Sequence, residues 1–295
     1  MTGQLAALGA ASLWACTALA IESAARRIGS LSVNLIRLAF ALAFFSLAGV
    51  AMRGLPFPSD ATPHNWLWLT ASGLVGFTFG DLCLYRAYLV LGPRLSSVMM
   101  ALVPPITALI GWTLLDETLT PRDLLGMTLT VAGISWAILE RGSRSGTVQT
   151  GPVTFWGVAL GIGAALGQAL GLILSKIGMA GYDAVAATQV RVIAGLAGFA
   201  LLFFPLRWWS NVRTSLRDRK ALGWAALGGF FGPFLAVSLS LIAIRETVAG
   251  VAASIMALTP VLIIPLVVVF QRERVGWAGV AAALIAVTGV ALLFL

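Results

Sequence analysis

Ten long apolar runs constrain this chain more than any other feature of its sequence. A membrane-spanning helix needs about 20 consecutive residues that are mostly apolar. Runs of this kind lie at about 4–22, 31–52, 66–90, 96–115, 121–139, 155–177, 184–206, 221–243, 247–270 and 275–295. The connections between them are short, so no soluble domain fits among them. The sequence therefore predicts an all-α membrane protein with ten transmembrane helices.

Composition excludes the soluble classes of protein. Of the 295 residues, 59% are hydrophobic and 10% are charged, whereas roughly 25% are charged in an ordinary soluble domain. One core of this chain length cannot bury so much apolar surface and still present a polar exterior. A soluble enzyme, a nucleic-acid-binding protein and a disordered chain are therefore excluded, and the lipid bilayer is the expected partner.

The basic residues predict how the chain is threaded through the membrane. The formal net charge is +8, and 13 of the 19 Lys and Arg residues fall in the odd-numbered connections, against four in the even-numbered ones. Because cytoplasmic loops carry the excess of basic residues, we expect the odd connections in the cytoplasm and both termini on the opposite side. The pattern indicates a multi-pass protein of a bacterial-type inner membrane, with no nucleic-acid partner.

The two halves of the chain repeat each other. At an offset of 154 residues Arg37 matches Arg191, and at an offset of 156 residues Pro104 matches Pro260. Apolar composition produces chance matches of Ala and Leu, but it does not readily match Arg, Pro, Glu and Trp in register. We predict a first repeat at 1–140, a linker at 141–154 and a second repeat at 155–295. Further matches at the second offset are Trp68 with Trp224, Gly73 with Gly229, Gly76 with Gly232, Glu117 with Glu273 and Gly133 with Gly289.

An odd number of helices in each repeat determines how the two repeats are oriented. After five helices the chain re-enters the membrane from the other side, so the second repeat is inverted. Inverted repeats are typical of secondary transporters, whose substrate site lies near mid-membrane between the halves. Two packings of the halves with similar energies permit alternating access, and this links the sequence to transport.

Each repeat contains the same ordered motif. A Met-Ala-Leu segment precedes a proline, a glutamate follows at the end of that helix, and a glycine-bearing helix comes next; the residues are Met100, Pro104, Glu117, Gly126 and Gly133, then Met256, Pro260, Glu273 and Gly289. This arrangement resembles the drug/metabolite transporter superfamily and, within it, the ten-helix EamA-type carriers, over almost the whole chain. The resemblance implies an inner-membrane exporter of small metabolites, with amino acids a frequent substrate class. Nucleotide-like metabolites and drugs are the alternative substrates.

Two parts of this motif have more than one interpretation. Pro104 and Pro260 each remove a backbone donor in mid-helix, which either exposes carbonyl groups and allows bending or produces a static kink. Glu117 stands near Arg122 at a helix end, as its counterpart in the second repeat stands near another arginine. Such a glutamate either forms an ion pair that orders the loop or carries a transported proton.

Candidate substrate-binding residues lie at mid-membrane depth on the helices expected to line the cavity. An aromatic face with a few convergent polar groups suits a small zwitterion with an apolar side chain. Any single aromatic or Met residue at this depth is equally compatible with helix packing, whereas the amide of Gln168 needs hydrogen-bond partners in hydrocarbon. The candidates are Trp14, Thr17, Phe79, Met100, Gln168, Phe234, Ser238, Met256 and Thr259.

A second set of candidates consists of charged residues and one tyrosine. Charged side chains within a membrane are costly and tend to be functional. Asp81 is the deepest of them. Three interpretations are open: a charged cytoplasmic gate, proton coupling through Asp81 or Glu22, and a permanently paired structural cluster. The set comprises Glu22, Arg37, Asp81, Tyr85 and Arg86, with Lys176 and Arg191 as the repeat counterparts of Glu22 and Arg37.

A channel and an intramembrane enzyme are the alternatives to a carrier. Asp81 and Asp183 lie in segments that partly match the two motifs of aspartyl intramembrane proteases, but Thr78 replaces the first glycine and Asp183 falls at a helix boundary. His64 is the only histidine, and a lone histidine forms neither a zinc site nor a catalytic triad. We therefore expect no enzymatic activity, no metal and no cofactor.

Overall fold

The computed structural model describes residues 1–144, 154–262 and 277–294, without the side chains at 88–89, 92–95, 97 and 140–144. The first half of the chain contains six α-helices, and a π-helical segment, π1 (Leu74–Gly80), joins the third to the fourth. Within the described residues all regular structure is helical, as predicted. The helices are α1 (Thr2–Ile28), α2 (Ser30–Arg53), α3 (Pro63–Gly73), α4 (Asp81–Met100), α5 (Val103–Leu115) and α6 (Pro121–Arg144).

The described second half follows this order with two differences: one extra short helix precedes the equivalent of α3, and the equivalent of α4 is divided into two helices. A second π-helical segment, π2 (Phe230–Ala236), lies 156 residues after the first, between two α-helices. Nine helical stretches of the described chain are long and apolar enough to cross a membrane, and Ala249–Leu262 is a shorter apolar helix. The helices are α7 (Phe155–Gly178), α8 (Ala184–Leu202), α9 (Trp209–Ser215), α10 (Arg219–Gly229), α11 (Val237–Glu246), α12 (Ala249–Met256) and α13 (Trp277–Phe294).

Two predicted boundaries differ from the observed ones. The backbone of α4 remains helical through 91–95, where the third and fourth spans were expected to be separate, because a Gly-Pro pair can bend a helix without ending it. Helix α6 continues to Arg144, so the first four residues of the predicted linker are helical. The rest of the linker before Thr154 lies outside the described residues, as do 263–276, which include Glu273.

The helices of the two halves pack mainly against each other. Helix α1 packs on α10, π2 and α11, and its counterpart α7 packs on α3, π1 and α4. Helix α2 packs on its counterpart α8, and α6 packs on its counterpart α13. The pairing is unchanged when the halves are exchanged, so the structure has the pseudo-two-fold character that the repeat predicts.

Contacts between the connections show that the halves have opposite orientations. At one face, Asp60 accepts hydrogen bonds from Arg53 and Tyr182. At the other face, Trp208 donates to Ser32 at 3.2 Å. Helix α2 therefore runs from the second face to the first, while α8 begins beside Tyr182 and ends before Trp208. Equivalent helices thus run in opposite directions, which confirms the inverted arrangement.

Small residues allow the closest helix contacts. A Cβ atom at Gly133 would lie 2.5 Å from the backbone nitrogen of Ala286, and one at its counterpart Gly289 would lie 2.5 Å from that of Thr130. Helices in lipid associate through such close backbone contacts. Gly29 alone separates α1 from α2, with φ at 78°, a left-handed conformation that glycine adopts without strain.

Candidate functional site

A buried carboxylate with three donors lies at the centre of the bundle. Asp81 is the first residue of α4, directly after π1. Its Oδ2 accepts hydrogen bonds from Arg37 Nη2 at 2.9 Å and from Asn34 Nδ2 at 3.3 Å, and its Oδ1 accepts one from Gln168 Nε2 at 3.1 Å. Arg37 Nε also donates to Asn34 Oδ1 at 2.5 Å. We call Asn34, Arg37, Asp81 and Gln168 the central cluster.

Gln168 connects the two halves through this cluster. It belongs to α7 in the second half, and besides Asp81 it donates to the carbonyl oxygen of Gly76 in π1, at 3.3 Å. A π-helical turn departs from the i→i−4 hydrogen bonding of an α-helix, which leaves acceptors for such side chains. Glycines bring the backbones close, because a Cβ at Gly167 would lie 2.7 Å from the Cα of Gly80. The predicted need of the Gln168 amide for partners is therefore met at the interface between halves.

Arg191, the repeat counterpart of Arg37, has different surroundings. Its guanidinium lies over the ring of Phe77 in π1, 5.1 Å from the ring centroid. Its Nε and Nη1 have no hydrogen-bond partner within the described part of the chain. The carbonyl oxygen of Arg191 also lies so close to Gly73 that a Cβ there would overlap it. The backbone of this arginine is therefore packed closely against α3, whereas its guanidinium forms no ion pair within the described residues.

Several predicted substrate-binding residues lie along the other contact between halves. A Cβ at Gly232 in π2 would lie 3.4 Å from the ring of Trp14 and 2.8 Å from Cγ2 of Thr17. The hydroxyl of Thr17 donates to the carbonyl of Leu13 at 2.8 Å. That of Ser238, in α11, donates to the carbonyl of Phe234 in π2. Trp14 and Gln168 are repeat counterparts, and Trp14 lies beside π2 as Gln168 lies beside π1.

The remaining members of that set are divided between packing and surface. Phe234 packs edge-on against Phe45, with ring centroids 4.9 Å apart, which fits the packing interpretation. Thr259 donates to the carbonyl oxygens of Met256 at 2.9 Å and Ala11 at 3.3 Å. Phe79 is 51% exposed. The structure therefore does not gather all nine residues around one centre, and Met100 terminates α4.

The predicted charged gate is only partly assembled. Arg37 and Asp81 form a buried ion pair, but Glu22 pairs with Arg26 one turn later on the exposed surface, at 2.7 Å. Arg86 is exposed, and Tyr85 is partly buried one turn beyond Asp81. Glu22 and Arg86 are thus exposed and separate from the buried central cluster.

Glu117 forms a contact between the halves that sequence reasoning missed. The expected partner was Arg122, but Glu117 Oε1 binds Lys176 Nζ at 2.6 Å and its Oε2 accepts the N–H of Ala249 at 2.9 Å. Lys176 Nζ also donates to the carbonyl of Thr247 at 2.8 Å. A carboxylate at the start of α12 satisfies an open backbone donor and the helix dipole. We call Glu117, Lys176 and the start of α12 the Glu117 latch.

The positions of the two prolines also require correction. Pro104 was expected in mid-helix, but α4 ends at Met100 and α5 starts at Val103, so the proline occupies the first turn of a new helix. Helix α12 likewise ends at Met256, and the next helical turn, at 259–262, contains Pro260. A proline in a first turn removes no intrahelical hydrogen bond. The break therefore precedes each proline, at equivalent places in the two halves.

An apolar groove of about 640 Å³ lies between α5 and α6. Trp112, Leu124 and Met127 contribute to its lining. None of the predicted substrate-binding residues lines it, and it is not part of the central cluster. The groove thus belongs to the apolar outer surface rather than to the contact between halves.

Comparison with known proteins agrees with this architecture. A crystal structure described only as that of a protein is similar to this chain, with a TM-score of 0.77 and 19% sequence identity, over 98% of this chain and 95% of the other. At that identity the likeness shows the fold alone. No curated protein matches the chain. The model of the EamA-like transporter family matches twice, over residues 1–139 and 155–295. Two inverted helical halves and this double match show that the chain belongs to the EamA-like transporter family, a family of membrane transporters of small molecules.

Proposed function

We propose that this transporter exports small metabolites, above all amino acids, by alternating access. The observation that carries the proposal is the contact in which Gln168 of one half donates to Asp81 and Gly76 of the other. Inverted halves can rock about a central contact, so that opening one face closes the opposite face. The substrate then binds beside this contact, between the halves.

The chemistry of the surrounding residues supports an apolar amino acid as the substrate. Trp14 and Gln168 occupy equivalent places in the two halves, each beside a π-helical segment. An aromatic ring suits an apolar side chain, and an amide suits a polar head group. Met100 and Met256, which end α4 and α12, add adaptable apolar surface.

An ion pair between the halves supports closure of one face of the protein. The Glu117 latch joins α7 and α12 to the connection after α5 on the face that carries few basic residues. By the positive-inside rule that face lies outside the cytoplasm. When the Glu117 latch closes this outer face, the protein receives substrate from the cytoplasm. We place the protein in an inner membrane, with both termini outside the cytoplasm.

Transport by purified protein tests the proposal. Proteoliposomes are loaded with labelled amino acids, and efflux is measured with and without an imposed pH gradient. We expect saturable efflux that external substrate accelerates, which a channel does not show. Gln168→Ala should lower the flux about tenfold, because a lost hydrogen bond of about 1.4 kcal/mol corresponds to that factor. The matched control is Gln4→Ala, at the far end of α1. Absence of amino-acid flux, or an unchanged flux in Gln168→Ala, contradicts the proposal.

The orientation has its own test. A cysteine replacing Arg213, in the strongly basic connection that contains α9, should react with an impermeant maleimide in inverted membrane vesicles but not in intact cells. Labelling in intact cells would show that the orientation is the opposite of the one proposed, and the proposed direction of transport would then be wrong as well.

A further inference from the structure

Arg191 is the one arginine in the described membrane-spanning core whose buried donors lack a partner. Its side chain is buried, with the residue 4% exposed, and its Nε and Nη1 have no acceptor in the described part of the chain. Leaving a charge buried without a partner costs several kcal/mol. Inside a membrane such a charge usually serves a function, so the missing partner needs an explanation.

The repeat shows which partners are missing. Arg37 binds Asp81 and Asn34. The residues at the corresponding places in the second half are Val237, 156 residues after Asp81, and Thr188, 154 residues after Asn34. Val237 carries no charge, and the hydroxyl of Thr188 donates to the carbonyl of Ala184 at 2.7 Å. Neither partner of the first arginine thus has an equivalent at the corresponding position of the second half.

The nearby acid does not replace them. Both oxygens of Asp81 already accept hydrogen bonds, from Arg37, Asn34 and Gln168. As described, this buried region contains two arginines and one aspartate, so it has one positive charge in excess. A carboxylate group can pair with this excess charge, whereas a ligand whose only charged group is an amine adds to the excess.

The position of Arg191 gives a ligand a route to it. The arginine belongs to α8 of the second half, but the aromatic ring that covers it belongs to π1 of the first. Gly76, also in π1, lies beside the guanidinium, since a Cβ there would lie 3.4 Å from Nη2. Because these contacts lie between the halves, a rocking motion that separates α8 from π1 uncovers the guanidinium.

We propose that Arg191 binds the carboxylate of the transported substrate at the interface of α8 with π1. This inference rests on the proposed function, since it takes the contact between halves as the path of the substrate. A guanidinium donates charge-assisted hydrogen bonds to a carboxylate. The carboxylate supplies the partner that the second half lacks, and the arginine selects acids over the corresponding amines and amides.

Binding by the wild-type protein provides the first test. Purified protein in detergent is titrated with leucine, phenylalanine and methionine, with the carboxamide of each, and with 3-methylbutylamine and 4-methylpentanoate, the leucine analogues that lack the carboxylate and the amino group. Thermal stabilisation of the protein reports binding. We expect the acids to bind at least about tenfold more tightly than the matching amides and amine. Equal binding of acids and amides, or no binding of any acid, overturns the inference.

Substitution of the arginine provides the second test. Arg191→Gln should lower the affinity for the acids about tenfold and leave that for the amides unchanged, while Arg191→Lys should restore part of the preference. Arg245→Gln, an exposed arginine paired with Glu246, is the control that should leave both affinities unchanged. An unchanged preference in Arg191→Gln overturns the inference. Acid binding without flux in proteoliposomes supports the inference and contradicts the export proposal, so the two failures are distinguishable.

Discussion

Arg37 and Arg191 occupy equivalent positions in the two halves of the molecule, and their backbones are held in the same way. The carbonyl of Arg37 lies against Gly229 and that of Arg191 lies against Gly73, in both cases where a Cβ atom would collide. The side chains differ, since Arg37 meets a carboxylate and Arg191 meets an aromatic ring. The two halves thus have the same backbone packing at this position but different side-chain partners. The difference lies at the interface where the substrate is proposed to bind.

The largest effect should come from exchanging each arginine for leucine. Arg37→Leu leaves the Asp81 carboxylate buried without a cation, so we expect the free energy of unfolding to fall by about 3–5 kcal/mol. Arg191→Leu removes a buried charge whose Nε and Nη1 have no hydrogen-bond partner in the described part of the chain, so stability should be unchanged or higher. Unfolding of purified protein in mixed micelles measures both. A loss of similar size in the two variants would mean that the arginines are equally paired, which removes the contrast.

Glycine substitutions sharpen the comparison where the halves are alike. Gly73→Ala and Gly229→Ala should each lower the free energy of unfolding by about 1–3 kcal/mol, because the added methyl meets a carbonyl oxygen. The same measurement should give similar values for both. Gly223→Ala in α10 is the control, since nothing lies within 4 Å of its new methyl and alanine favours a helix. A difference of several kcal/mol between Gly73→Ala and Gly229→Ala would show that the scaffold is not symmetric.

The Glu117 latch should have a smaller effect, on conformation rather than folding. Glu117→Gln removes the ion pair with Lys176, whose side chain is 23% exposed, so we expect a change of about 1.5 kcal/mol, at the low end for hydrogen bonds to charged groups. The test uses a variant without the two native cysteines that carries Ser254→Cys in α12. With Glu117→Gln added, this cysteine should react about tenfold faster with an impermeant maleimide than it does with Glu117 in place.

The control for the latch is Glu246→Gln, which breaks an exposed pair with Arg245 near the same face and should leave the rate of labelling unchanged. If the rate of labelling is the same in Glu117→Gln and in the protein that keeps Glu117, this ion pair does not hold the face closed.

The smallest effect should come from acid at the opposite face. The backbone N–H of Ala221 and then the side chain of Arg27 lower the pKa of Asp218 below its usual value. A lowered pKa means that the stabilisation is present above the ordinary aspartate range and is lost as pH falls through the folded-state pKa. We expect a fall in melting temperature in acid that is slightly smaller in Asp218→Asn than in the wild type. A larger acid response in the variant would contradict this assignment.

The sequence predicts the spans, the repeat and the inversion because each depends on properties that residues display singly or in register. Apolar length predicts helices in lipid, and the odd number of helices predicts the inversion. The cost of charge in hydrocarbon also identifies Asp81 and Arg37, and the need of a buried amide for hydrogen-bond partners identifies Gln168; these are three of the four members of the central cluster. Asn34 could have been added, since it lies one helical turn before Arg37 and so shares its face.

Other features depend on three-dimensional contacts that hydropathy does not encode. Glu117 and Lys176 are 59 residues apart, and their pairing follows from how α5 and α7 meet. The π-helical segments differ from α-helices only in hydrogen bonding, which the apolar pattern does not reveal. The prolines were predictable in principle, because proline favours the first turn of a helix. The apolar run extends across the break, and its length led to the prediction of one continuous helix with the proline in its middle.

The two π-helical segments show which part of the repeat is independent of the charged residues. Each has seven residues, and they lie 156 positions apart at the same place in their halves. Asp81 directly follows the first segment and Val237 directly follows the second. The same backbone irregularity therefore forms with an acid or with a valine after it, so it does not depend on the carboxylate of the central cluster.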